Sequence, residues 1–254
     1  MQSWAWVMAA ALAAAGCDSN GAKAGADAGA AAAPSATVSA RPAPTAPAPP
    51  AAPHPPVITL DERTCTIDGT AFTGEPPEWR PGVAALLHDR PLVAGEAIGV
   101  DVMRNVKTPQ VAALVAALTE AKARSVVVHT PMRDQSMGEL ELSVQHAAAA
   151  DCSAVAMIEH DGAVALWSKG GGVAQKFTHG MAGPDLTSST EALRKRAAAC
   201  DSPVWFVSTA ETVQWGLAFD LAMRARSAEG GTLRPRQTAL LTRTPVAGRR
   251  VKED

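Results

Sequence analysis

Ala97-Ile98-Gly99-Val100-Asp101-Val102, followed by Val111, Leu114, Val115 and Leu118 on one stripe, reads as a strand leading into an amphipathic helix. The pattern returns as Val204-Trp205-Phe206-Val207-Ser208 with Ala218, Leu221, Ala222 and Ala225 behind it. Between strand and helix the two stretches align at a constant offset of 107 residues, so that Val106 matches Val213 and Leu114 matches Leu221. Each stretch is preceded by an Asp-Gly step, Asp68-Gly69 or Asp161-Gly162, and closed by a strand ending at Thr130 or Thr242. Constant spacing over a strand and a helix predicts duplication of one small unit; the competing view is that any two β-α-β stretches share this pattern.

The fold class expected from this is α+β, with two tandem small domains over 57–137 and 138–245, each a mixed β-sheet with two helices packed on one face. Val57 to Gly74 reads as strand, turn and strand, Asp68-Gly69 supplying the positive φ values of a tight hairpin. Pro109 sits at a first-turn position, where its missing N–H costs no hydrogen bond, so a helix should begin there. Glu139 to Gln145 alternates, with Leu140, Leu142 and Val144 on one face, as a half-buried strand does. It either closes the first unit or opens the second. Ser188 and Glu191 have the spacing of a capping box before the helix that runs to Cys200.

Outside the two units the chain has a different character. Residues 1–17 carry an apolar run with Trp4, Trp6, Val7, Met8 and Leu12, ending in Ala14-Ala15-Gly16-Cys17. The run is short of the ~20 residues a spanning helix needs and has the length of a secretory signal core. Small residues before Cys17 resemble a bacterial lipobox, with lipidation expected at Cys17, although Ala14 stands where Leu is commoner. An ordinary signal peptide cut nearby is the plainer alternative. Residues 18–56 are nearly all Ala, Gly and Pro and cannot bury enough apolar surface to fold, so a disordered tether is expected. In polyproline geometry it would reach at most roughly 120 Å. Residues 246–254 read as a tail, and the basic cluster from Arg234 to Lys252 as a solvated run.

The net charge of −2, from 23 basic and 25 acidic residues, gives no field that would gather nucleic acid, so no nucleic-acid partner is expected. Besides Cys17 there are cysteines at 65, 152 and 200. Cys152 and Cys200 each precede a strand of the second unit, and export would permit a disulfide between them. The alternative is that all three are small buried residues.

Reactive constellations are hard to find. Lys176 in the loop from Gly170 to Thr178 lacks the Gly-Lys-Ser/Thr junction of a phosphate loop. The histidines at 54, 88, 129, 146, 160 and 179 show no metal-ligand spacing. Glu159, His160 and Asp161 are adjacent at a hairpin tip, and neighbouring strand residues point to opposite faces. No catalytic residue, cofactor or metal is therefore expected, and the chain reads as a binding protein. Trp215 stands where the first unit has Thr108, so the shared core does not require it. It either packs under the preceding loop or belongs to a partner-binding surface.

The second unit is similar to the periplasmic domain of the ExbD/TolR family of biopolymer transport proteins. The likeness rests on Ala163-Val164-Ala165-Leu166-Trp167, Glu191-Ala192-Leu193, Val204-Trp205-Phe206-Val207, Val213-Gln214-Trp215-Gly216 and Thr238-Ala239-Leu240-Leu241-Thr242. The first unit resembles it more weakly, through Val100 to Val106 and Val126-Val127-Val128. That family carries a transmembrane helix with an acidic residue that takes part in proton movement, and here no Asp or Glu occurs before Asp18. The resemblance thus implies the other half of the activity: a periplasmic module that forms a homodimer or binds an envelope protein or peptidoglycan, held to a membrane by the N-terminal lipid. The alternatives are an envelope enzyme with its site at the junction of the two domains and a purely structural lipoprotein.

Overall fold

Apolar alternation in the strands and apolar stripes on the helices build a computed structural model that describes residues 54–90, 92–144, 149–180, 183–227 and 237–252. Residues 1–53, which include Cys17 and most of the stretch expected to be a tether, lie outside them. The first half runs β1 (Ile58–Leu60), β2 (Thr64–Ile67), β3 (Thr70–Thr73), α1 (Pro76–His88), β4 (Ala97–Val102), α2 (Thr108–Glu120) and β5 (Ser125–Pro131). After β6 (Met137–Ser143) the second half runs β7 (Ala154–Ile158), β8 (Val164–Ser168), β9 (Gln175–Phe177), α3 (Leu186–Ala198), β10 (Val204–Thr209), α4 (Trp215–Arg226) and β11 (Gln237–Leu240). The content is α+β: one large mixed sheet with helices packed on it.

The expected pair of separate sheets is replaced by one eleven-stranded sheet in the order β3-β2-β1-β4-β5-β6-β11-β10-β7-β8-β9. The joint is β6, which pairs antiparallel with β5 along its length and parallel with β11 at Leu142↔Thr238. The expected boundary at residue 138 falls inside the β5–β6 pairing, and β6 is bonded on both of its edges. Its placement also covers what would otherwise be two open strand edges, whose unpaired N–H and C=O groups invite association.

On either side of β6 the order of elements is mirrored and the register repeats. Gly99 pairs with Val127 and Phe206 with Ala239; Leu60 pairs with Val102 and Ile158 with Thr209. The two Asp-Gly steps, however, are not equivalent. Asp68 and Gly69, both at positive φ (48° and 82°), turn β2 into β3, whereas Gly162 lies between β7 and β8. The counterpart of the latter turn is Asp61 to Thr64, where Asp61 Oδ1 accepts from the amides of Arg63 and Thr64 at 2.8 Å. The α3 cap also differs from expectation: Asp185, not Ser188, accepts the Ser188 amide at 3.0 Å. That bond holds the Asp185 carboxyl below its usual range.

β4 and β6 alternate buried with exposed residues, so one face of the first half meets water. β7 and β10 are buried throughout. The C-terminal segment, read as a solvated tail, is docked against β8 and its exit. Arg249 O accepts from the Trp167 indole at 2.9 Å, the Val251 amide donates to Lys169 O at 2.8 Å, and Val251 is buried.

Cys152 and Cys200 form a disulfide with Cα atoms 5.6 Å apart, tying the turn before β7 to the end of α3 across 48 residues. Chain-entropy arithmetic for such a loop gives about 4 kcal/mol. Reduction is expected to lower unfolding stability by that order, read as a shift of the urea midpoint with and without reductant. Cys65 is the free, buried thiol among the described residues. Burial, with the Asp61 charge as a smaller contribution, pushes its pKa up to about 12. A thiolate reagent at pH 8 should leave Cys65 unmodified in the folded protein and label it on unfolding.

Candidate functional site

The two halves meet through residues that are each other's counterparts. Lys107 and Gln214 form an isolated antiparallel bridge. The Thr108 amide donates to Val213 O at 3.1 Å, and the Trp215 amide donates to Val106 O at 2.7 Å. Val106 and Val213, like Thr108 and Trp215, are the positions that the 107-residue offset superimposes. Exchange of the same bond between matched positions is what a two-fold axis imposes, here within one chain. The matched positions border two places that can be compared, each bounded by a loop after a strand, the end of another strand and the first turns of a helix.

One of these places is filled. Trp215 is fully buried, its indole N–H donates to Thr130 Oγ1 at 2.9 Å, and its ring lies 5.9 Å from that of Phe219. Beside it Arg104 donates to both oxygens of Asp220, at 2.9 and 2.7 Å, and to the carbonyls of Pro131 and Gly216 at 3.2 Å. Arg133 adds a bond to Asp220 at 3.2 Å. The packing leaves no slack: a Cβ at Gly138 would lie 2.9 Å from the Phe219 ring, and one at Gly216 3.0 Å from Arg104. Trp215 is therefore a core residue: of the two readings the sequence left open, burial agrees with packing and is against the partner-binding surface.

The equivalent place is open. At the positions matching Trp215, Phe219 and Asp220 the first half has Thr108, Ala112 and Ala113, and Glu211 stands where Arg104 would. These residues line a cleft of about 790 Å³, with the strand ends at Ser208 and Thr242 and the start of α1 at Pro76 and Pro77 on its sides. Small side chains in place of an indole, a phenyl ring and a carboxylate contribute part of that space. The cleft lies at the carboxyl ends of the parallel strands β10 and β11 and beside the first turn of α2, where open α/β sheets usually take ligands.

Most of the cleft's hydroxyls are already committed. Thr108 Oγ1 donates to Val213 O at 3.1 Å, Thr209 Oγ1 to Ala210 O at 3.0 Å and Thr244 Oγ1 to Thr209 O at 3.1 Å. Thr212 Oγ1 is 2.9 Å from His160 Nδ1. Arg80 pairs with Glu120. Glu211 is exposed and has no side-chain partner among the described residues. An alanine floor, hydroxyls fixed by hydrogen bonds and a rim of both charges, Glu75 and Glu211 with Arg80, Lys107 and Arg243, are suited to holding a side chain or small group in place.

Comparison with family models, curated proteins and solved structures returned no match. The remaining candidates from the sequence are dispersed. Glu159 pairs with Lys176, Asp161 Oδ1 accepts the Ala163 amide at 2.9 Å, and His160 turns to Thr212, so the three residues at the hairpin tip serve three separate contacts. Among the described residues no cluster of His, Cys, Asp and Glu is placed to hold a metal, and no helix is long and apolar enough to cross a membrane. Sequence reasoning set Trp215 against Thr108 but stopped there. Extending the same offset to Ala112, Ala113 and Glu211 would have marked the open cleft.

Proposed function

We propose that the chain is an exported, lipid-anchored envelope protein that acts by binding, as an accessory of ExbD/TolR-type biopolymer transport or energy transduction without a proton pathway of its own. Its folded part is a tandem duplication of one unit with two helices, and its working surface is the open cleft. The observation that carries this reading is the asymmetry between equivalent places: one packed solid by Trp215, Phe219 and the Arg104–Asp220 pair, the other left open by Thr108, Ala112 and Ala113. A duplicated unit that has closed one of its two sites and kept the other is expected where the second is in use. The resemblance to a dimerising module fits as well, because the Lys107–Gln214 joint gives a single chain the pairing that two chains would otherwise make. Peptidoglycan, an envelope protein or a second copy of the chain are the partners in view, with the lipid at Cys17 holding the protein to a membrane and the Ala/Pro-rich tether setting its reach.

The alternative of an envelope enzyme draws on the same cleft, since it lies where the halves meet. The backbone-bound hydroxyls favour binding over it. Crosslinking intact cells that express the full chain, and isolating it from the membrane fraction, tests the proposal. A specific envelope protein or cell-wall fragment should be retained by the full chain and lost when Cys17→Ser releases it from the membrane. Recovery of the chain alone from membranes would refute the binding role.

A further inference from the structure

The filled place shows what the open one is shaped for. Its contents are two aromatic side chains tilted at 57° to each other and a charge pair, all contributed by polypeptide. In the open place the aromatic volume is missing above Thr108 and Ala112, and the charge has changed sign: Glu211 occupies the position of Arg104, while Ala113 replaces the carboxylate that Arg104 binds. Among the described residues Glu211 has no side-chain partner of the kind its counterpart has, and the partner that complements it is a cation. Resting on the reading of the cleft as the binding surface, we propose that it receives a segment of a second protein presenting an aromatic side chain with a lysine or arginine beside it. The aromatic ring lies on the alanine floor of α2 as Phe219 and Trp215 lie in the other half, and the cation meets Glu211. Lys107 and Arg243 also border the cleft, so a competing outcome is preference for an acidic neighbour.

Calorimetric titration of the full chain, with Cys17→Ser to prevent acylation, tests this with three short peptides. Gly-Lys-Gly-Trp-Gly is expected to bind saturably. Exchanging its Trp for Ala should weaken binding at least about tenfold, since a buried indole dominates such contacts. Exchanging its Lys for Glu should weaken it about three- to fivefold, the range of a partly exposed ion pair. Glu211→Arg, on an exposed site that leaves folding intact, should invert the Lys-over-Glu preference. Ala113→Phe should abolish binding by filling the cleft, with circular dichroism confirming the fold. Equal affinity for the Lys and Glu peptides, preference for the Glu peptide, or no saturable binding of any, overturns the aromatic-cation assignment. The broader binding role survives that result if crosslinking in cells still returns an envelope partner, so the two failures are separable.

Discussion

Trp215→Ala is expected to destabilise the folded chain by about 3–5 kcal/mol, the range for emptying a fully buried large aromatic site. Three losses combine: the dispersion contacts of an indole at 0 % exposure, its hydrogen bond to Thr130, and its packing against Phe219. The neighbours cannot close over the gap, because Gly138 and Gly216 have given up their side chains to fit around Phe219 and Arg104 and have nothing to move inward. Trp215→Thr installs the residue of the matching position and should cost nearly as much. Thr108 carries no such cost at its own position, where the matched neighbours Ala112 and Ala113 are not packed around a ring. Urea unfolding followed by circular dichroism measures the effect, and a loss under about 1 kcal/mol would mean that the indole is not a core element. Binding at the open cleft, on the opposite side of the joint, should persist in folded Trp215→Thr.

Asp220→Ala should cost about 3 kcal/mol, for a different reason. Its carboxylate, 9 % exposed, accepts from Arg104 and Arg133, and Arg104 is itself only 25 % exposed. Removing the acid leaves a partly buried guanidinium uncompensated, which is far costlier than the net worth of the pair. Arg104 retains the Pro131 and Gly216 carbonyls, so the loss should fall at the lower end of the 3–5 kcal/mol seen for broken buried pairs. The double replacement Arg104→Met with Asp220→Leu should recover much of it by removing both charges. A double-mutant cycle with no coupling would show that the two side chains do not act together. Because this pair joins the loop after β4 to α4, its loss also loosens the seam between the halves, and amide exchange at Thr108 and Trp215 should quicken with it.

Much of this was legible in the chain. The apolar stripe of α2, the alternation of β6 and the 107-residue offset all report local periodicity, which survives whatever the tertiary context. What could not be read was the arrangement across the sheet. Nothing in Glu139 to Gln145 reveals that β6 pairs on both sides, because strand alternation records which face is buried and not which neighbours are hydrogen-bonded. The Asp-Gly steps misled for a related reason: turn chemistry identifies a hairpin but not which hairpin of the unit it closes. The C-terminal segment looked solvated because its charged side chains are exposed, while it is docked by backbone groups of Gly248, Arg249 and Val251, the buried Val251 side chain and the Arg250–Asp151 pair. The cleft itself was written as absence, in small residues at Ala112 and Ala113, and became visible only when their bulky counterparts were seen in place.

The most direct test places a photo-crosslinking amino acid at Ala113, on the wall of the cleft, and for comparison at Val173, which is 90 % exposed in the loop after β8. In cells, the first position is predicted to give a discrete adduct with one envelope protein, suppressed by excess Gly-Lys-Gly-Trp-Gly peptide in permeabilised cells, and the second position to give none. The same products from both positions, or an adduct at Ala113 that the peptide does not diminish, would contradict the assignment of the open cleft as the binding site.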